Sequence, residues 1–301
     1  MRAFFAIGLL FVSPLALATN SRSAVSINGS DTNLCTVASP CRSFSAAMFQ
    51  TSVGGEIIAL DTAGYGPFSI NKSVTVSGAP GVHAAITVST GTAIDIAAGA
   101  SDRVTLRNLT LIGTGGGNTG INIGNVGILN VADVSISAFI TNAIFAFGNV
   151  ELIADHCDIT DNIGATGIDL FQSTAAIHNS RITGNAFGVK AEDGGTAAVT
   201  NCLLAMNDNA GIETISFING EVSAVLVESC EIVANNWGIF VGNNLNGGSS
   251  SIRLSNNAIF KNGTGVVGGT GGVIASYNNN RIEGNTTDLS PGTMLTSLTE
   301  R

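Results

Sequence analysis

Asparagine returns at one register in six consecutive units of this chain: Asn162, Asn185, Asn207, Asn235, Asn262 and Asn285. Each stands three residues after a member of the apolar series Leu111, Ile136, Ile159, Ile182, Leu204, Ile232, Ile259 and Ile282, whose mean step is about 24 residues. Three residues before each apolar position stand Asn108, Asp133, His156, Asn179, Asn201, Ser229, Asn256 and Asn279. A glycine with a β-branched partner follows the asparagine, as in Gly167-Ile168, Gly188-Val189, Gly211-Ile212 and Gly238-Ile239. Within residues 224–241, Val225 and Val227, then Cys230 and Ile232, then Ile239 and Val241 alternate with polar residues around Asn/Gly corners. That spacing predicts three short strands per unit. A unit this small cannot bury its apolar face alone, so the units must stack. Stacked parallel strands put equivalent residues about 4.8 Å apart. The asparagine register then becomes a ladder of amides. The frame of leucine-rich repeats is absent, and propeller blades need about 40 residues.

Composition agrees with an all-β reading. Charged residues are 11% and glycine is 38 of 301, against roughly 25% charged and ~7% glycine in ordinary domains. Twelve Lys and Arg face 21 Asp and Glu, a net charge of −9, so the chain is expected to bind no nucleic acid. The one long apolar run, Ala3 to Ala18, is 16 residues, shorter than the ~20 needed to span a bilayer. Arg2, the apolar stretch Phe4–Val12 and the small-residue site Ala16-Leu17-Ala18 read instead as an export signal. The expectation is a signal peptide at 1–18, an N-terminal strand and capping helix at 19–55, a solenoid at 56–288 and a C-terminal tail at 289–301. The protein is expected to be secreted, periplasmic or extracellular, with no membrane partner. Oligomeric state is open at this point.

The asparagine register and the Gly-β-branched pairs resemble the right-handed parallel β-helix family, the pectate-lyase-like superfamily, in its secreted bacterial repeat proteins. The entry segment Asn28-Gly29-Ser30-Asp31, with Cys35 and Pro40-Cys41-Arg42-Ser43-Phe44, is similar to the start of such proteins. The resemblance implies a parallel β-helix of about ten coils whose open end is plugged by a short helix, here Ser43–Gln50, with Ser43 or Ser45 as N-cap. It also implies polysaccharide chemistry, but no catalytic residue carries over. Pectate lyases use clustered acids for calcium and an arginine base. Polygalacturonases carry Asn-Thr-Asp, Asp-Asp, Gly-His-Gly and Arg-Ile-Lys. None of these four motifs stands in this sequence.

Chemistry must therefore be sought on the outer face. The position after each Gly-β-branched pair reads Asn122, Phe145, Asp169, Lys190, Glu213, Phe240, Val267. Asp169, Lys190 and Glu213 fall on successive coils between Phe145 and Phe240, a charged groove between aromatic faces that suits a sugar chain. Two carboxylates near 6.5–9.5 Å suit an inverting glycosidase, and a lysine between acids suits a lyase base. The competing expectation is a salt-bridge ladder of alternating sign. A second outward series pairs Asp158 with Arg181. Asp155, Asp158 and Asp161 crowd around His156, but calcium needs 6–8 converging oxygens and no Cys/His set has zinc spacing, so no cofactor is expected and calcium is the alternative. His156 and His178 are read as corner residues. Trp237 is read either as a corner-packing side chain or as an exposed platform.

Cys35 and Cys41 are the disulfide candidate. Cys157, Cys202 and Cys230 share one repeat position and are expected to stay buried free thiols. The functional expectation is a non-catalytic glycan-binding, adhesin-like or structural β-helix with an extracellular polysaccharide as partner. The alternative is a polysaccharide lyase or glycoside hydrolase; a subunit of a larger, tailspike-like assembly stands behind both.

Overall fold

The computed structural model describes residues 20–242 and 246–299; the export signal read at 1–18 lies outside the described residues. Strands assemble into three parallel sheets of twelve, ten and ten members, each coil giving one strand to each sheet. One mid-chain coil shows the plan: Thr174–His178 in the first sheet, Arg181–Thr183 in the second, Phe187–Glu192 in the third. Every second-sheet strand from Ala84–Val88 to Arg281–Ile282 stacks in register, so Ile86, Leu111, Ile136, Ile159, Ile182, Leu204, Ile232, Ile259 and Ile282 form one inward column. All but Ile282 are fully buried. Burial of each such side chain contributes about 1.5–3 kcal/mol, and together they fill the centre of the rod.

The polar registers are the corners. Asn108, Asp133, His156, Asn179, Asn201, Ser229 and Asn256 all have φ between +48° and +55°. One left-handed residue turns the chain from the first sheet into the second, and Asn and Asp tolerate that conformation best. In the last coil the corner residue is Asn278, at φ +63°, one position before the Asn279 of the sequence register. The second corner repeats the device at Ala138, Asp161, Gly184, Met206, Ala234, Lys261 and Gly284. The glycine of the Gly-β-branched pair answers a different need: a Cβ on Gly188 would lie 2.4 Å from the carbonyl oxygen of Gly211 in the next coil. Trp237 opens the strand Trp237–Gly242 instead of sitting in the turn before it.

The asparagines form a continuous ladder behind the second corner. Nδ2 donates to the next Oδ1 at 2.9 Å (Asn162 to Asn185), 3.2 Å (Asn185 to Asn207), 2.9 Å (Asn207 to Asn235), 3.0 Å (Asn235 to Asn262) and 2.8 Å (Asn262 to Asn285). Each Nδ2 also donates to a backbone carbonyl of the coil below, Asn207 to Ile182 at 3.2 Å for example. The ladder starts where the buried Phe139 gives its N–H to Asn162 Oδ1. It ends on a carboxylate: Asp288 accepts from both Nδ2 and N–H of Asn285. A second, mixed column lines the first corner: Cys157, Ser180, Cys202, Cys230, Asn257, Asn280. Its members accept backbone N–H groups of the preceding coil, with Ser180 Oγ 3.1 Å from Cys157 N, Cys230 Sγ 3.4 Å from Cys202 N and Asn257 Oδ1 2.9 Å from Cys230 N. The three cysteines are free and buried, and burial pushes the Cys157 thiol up to about 12.

The N-terminal end is closed. Helix Phe44–Gln50 is capped by Ser43, whose side chain accepts from the Ala46 N–H. Its Phe44 is buried against Tyr65 and Phe68, ring centroids 5.2 and 4.9 Å away. The helix stops at Gln50, ahead of Gly54-Gly55, and Thr51–Ala59 follows, stacked between Asn20–Val25 and Val74–Gly78. Cys35 and Cys41 form a disulfide with Cα atoms 4.5 Å apart. At the other end, Leu295–Ser297 within residues 289–301 pairs with Gly272–Ser276 as the last strand of the first sheet.

Candidate functional site

The third sheet carries the outward row. Asn122, Phe145, Asp169, Lys190, Glu213, Phe240 and Val267 sit opposite one another on successive strands. With strands about 4.8 Å apart, Asp169 and Glu213 have Cα atoms roughly 10 Å apart across Lys190.

The electrostatics differ from a simple alternating ladder. The Lys190 ammonium lies 2.5 Å from Glu192 Oε2, two residues along its own strand. It also stands 5.9 Å from the Phe187 ring centroid, within cation–π range. Asp169 and Glu213 are each 7% exposed, and Asp169 Oδ1 is buried with no hydrogen-bond partner. Burial, with the field of Glu192 against that of Lys190, pushes the Asp169 carboxyl up to about 7. Burial does the same to Glu213, where Lys190 opposes and Glu192 and Asp169 add, and its carboxyl also reaches about 7. Burial alone lowers Lys190, but its bond to Glu192 and the surrounding carboxylates outweigh that and raise it. Three acids around one ammonium leave the cluster neutral when Asp169 and Glu213 hold their protons, and doubly negative when they do not.

Aromatic walls bound this cluster on both sides. Trp237 stacks on Phe240 with centroids 5.1 Å apart and planes 22° apart. On the opposite side Phe147 stacks on Phe171 at 5.3 Å, with Phe145 at 6.4 Å from Phe147. Phe147 is about half exposed. The sequence register brings Phe145, Asp169, Lys190, Glu213 and Phe240 together. It does not reveal Glu192, Phe147 and Phe171, which form the next outward row. Period-2 alternation from Asp169 to Phe171 and from Lys190 to Glu192 is the signal that marks them.

The other polar groups weighed in the sequence do not converge. Asp158 pairs with Arg181 at 2.8 Å on the second sheet. Asp155 accepts from Asn179 Nδ2 and lies 3.0 Å from His156 Nδ1 at the first corner. Asp161 sits at the second corner. His178 Nδ1 bonds the Thr200 hydroxyl of the next coil. Among the described residues no group of three His, Cys, Asp or Glu side chains is placed to hold a metal ion, and no helix is long and apolar enough to cross a membrane.

Residues 119–287, more than half of the chain, match the family model described as the right-handed beta helix region. No curated protein sequence matches it. Among solved structures it is similar to pectate lyase Pel9A, at 16% identity over 93% of this chain and 75% of that one, with a TM-score of 0.51. It is similar to XylC in complex with xylose, at 10% identity over 86% and 70%, TM-score 0.61. The A-module of the Azotobacter vinelandii mannuronan C-5 epimerase AlgE4 is similar at 13% identity over 81% and 91%, TM-score 0.55. At these identities the likeness is one of fold.

Proposed function

The chain belongs to the right-handed β-helix family, and on that footing we propose that it is an exported glycan-binding protein whose third sheet holds an uncharged sugar chain without turning it over. The observation that carries this is the pair of buried outward carboxyls, Asp169 and Glu213, neither of them ion-paired within reach of Lys190. Burying such groups on a sheet face costs stability. Perturbed acids gathered in one place are characteristic of functional sites. Stacked rings on which a pyranose lies flat, on either side of a row floored by carboxyls that hold their protons, make a surface complementary to an uncharged sugar. A cluster that becomes doubly negative disfavours polyanions. Similar solved structures include a pectate lyase, a protein bound to xylose and a mannuronan epimerase, which supports a sugar ligand. The Cys35–Cys41 disulfide fits an oxidising compartment.

Binding is favoured over hydrolysis on one ground. The Asn-Thr-Asp, Asp-Asp, Gly-His-Gly and Arg-Ile-Lys motifs that carry hydrolysis in polygalacturonases do not stand in this sequence. The test is affinity electrophoresis in neutral and uronate-rich polysaccharides, with reducing ends and absorbance at 235 nm followed in parallel. Retardation by a neutral polymer is expected, weakened about tenfold or more in Lys190→Ala/Glu213→Ala and in Trp237→Ala. Release of reducing ends or a rise at 235 nm would replace the binding reading with the hydrolase or lyase one. Retardation unchanged in both variants would reduce the row to surface packing.

A further inference from the structure

The first sheet carries a different kind of surface near the capped end. A concavity of about 650 Å³ is lined there by Arg22, Glu56, Ile58, Pro80, Arg107 and Asp133, with Ser77 on its floor, a size typical of small-ligand sites. Its chemistry is graded. At one end two guanidiniums share one carboxylate: Arg22 Nε donates to Glu56 Oε2 at 2.8 Å, and Arg107 Nη2 to Glu56 Oε1 at 3.3 Å. Ser77 lies between Ile58 and Arg107 in the register and donates its hydroxyl to Glu56 Oε1 at 3.4 Å, and the Arg107 guanidinium reaches diagonally across the sheet to the same oxygen. The two arginines hold Glu56 well below the usual carboxylate range against the opposing effect of its burial. Arg22 and Arg107 are each more than half exposed and retain N–H groups that Glu56 does not use. Ile58 and Pro80 supply apolar surface beside them. Asp133 stands on the exposed first corner at the far end and forms no ion pair with either arginine among the described residues.

We propose that this concavity is a second binding site, for an acidic sugar unit. Its acid group would sit on the Arg22 and Arg107 forks, its ring over Ile58 and Pro80, and its hydroxyls toward Asp133. Guanidinium forks match carboxylate and sulfate geometry. Glu56 then has two roles, aligning the arginines and competing for them. The site opposes the third-sheet row in charge preference and does not depend on it.

The test is an NMR titration of the full chain, reading the arginine Nε–H signals and the amides of Ser77, Gly81 and Asn108. The probes are glucuronate and glucose 6-sulfate, with glucose and acetate as controls. Saturable shifts are expected with both acidic sugars and none with glucose. Arg22→Gln and Arg107→Gln are each expected to weaken glucuronate at least fivefold. Glu56→Gln removes the competing charge and is expected to tighten it about threefold, an effect opposite to that of simply breaking a surface ion pair. Raising salt from 20 to 200 mM is expected to weaken it, as screening shortens to about 7–10 Å. Equal shifts with acetate would assign a bare anion site, equal shifts with glucose would remove the role of charge, and a Glu56→Gln variant that binds no tighter would return the cluster to a structural tie. Each of these outcomes overturns the proposal.

Discussion

Asp169 is the residue at which cost and use meet. Its carboxyl is buried, has an oxygen without a partner, and holds its proton up to about pH 7. The native state therefore binds that proton more tightly than the unfolded chain, whose Asp titrates near 3.8. By linkage, the protonated native form is favoured below about pH 4, and this advantage is lost as pH rises from about 4 to 7. Glu213 acts in the same direction over nearly the same window. Asp169→Asn imitates the protonated form at every pH. It is expected to change stability little at pH 4 and to raise it by about 1–3 kcal/mol at pH 8, measured by urea unfolding. A variant that loses stability at pH 8 would mean that the ionised carboxylate is held by bonds absent from the structure. The same linkage governs binding. An uncharged glycan that excludes water from this row favours the protonated acids, so its affinity is expected to fall severalfold between pH 6 and pH 8.

Single residues repeat into corners and ladders, and at that scale the sequence is unusually transparent. The first-corner residues announce themselves because they are mostly Asn and Asp, which accept φ near +55° best among residues other than glycine, whereas Ala138, Met206, Ala234 and Lys261 at the second corner do not. The asparagines do so because each amide needs the one above it. Asn207 accepts from Asn185 N–H and Nδ2 and donates to Asn235 and to Ile182. Asn207→Leu strands several buried polar groups at once and is expected to cost about 2–4 kcal/mol. Where the corner is filled by a residue ill suited to it, the prediction reverses. Ala234 has φ +58°, at a position taken by Gly184 and Gly284 in other coils. Ala234→Gly relieves a left-handed alanine and is expected to stabilise by about 1 kcal/mol, against the ~1 kcal/mol loss usual for glycine in a strand. The site was less legible than these elements. A repeat register shows which residues stack, but not how deeply an outward carboxyl is buried or which neighbour a lysine chooses. Lys190 pairs along its strand with Glu192 rather than across to Asp169 or Glu213, and only side-chain reach decides that. The Arg22–Glu56–Arg107 cluster escaped the register because Arg22 and Glu56 precede the first repeat, and only Arg107, next to Asn108, falls inside it.

Over the whole molecule the two ends of the rod are unequal, and stability should follow. A stacked solenoid holds together through nearest-neighbour contacts, so each coil is as firm as the coils that flank it. Middle coils have a neighbour on both sides, and their inward columns are fully buried. The N-terminal coil has the strand Asn20–Val25 and the helix on its outer side, with Phe44 seated on Tyr65 and Phe68. The last described coil has Ile282 and Leu295 only partly buried and Leu289 exposed, and its asparagine ladder ends on Asp288. Amide hydrogen exchange in this chain is therefore expected to be slowest across the strands between residues 128 and 260 and fastest in Arg281–Ile282, Thr287–Leu289 and Leu295–Ser297, with Thr51–Ala59 and Val74–Gly78 close to the middle coils. Phe44→Ala removes the packed ring at a cost of about 3–5 kcal/mol. Because coupling passes from coil to coil, the loss should appear first in Thr51–Ala59, then in Val74–Gly78, and should not reach the row at Asp169. Protection in the first coils would then drop toward that of the last, while affinity for a neutral glycan stays unchanged. Uniform loss of protection along the rod would show instead that the coils unfold as a single cooperative unit, with the helix holding all of them.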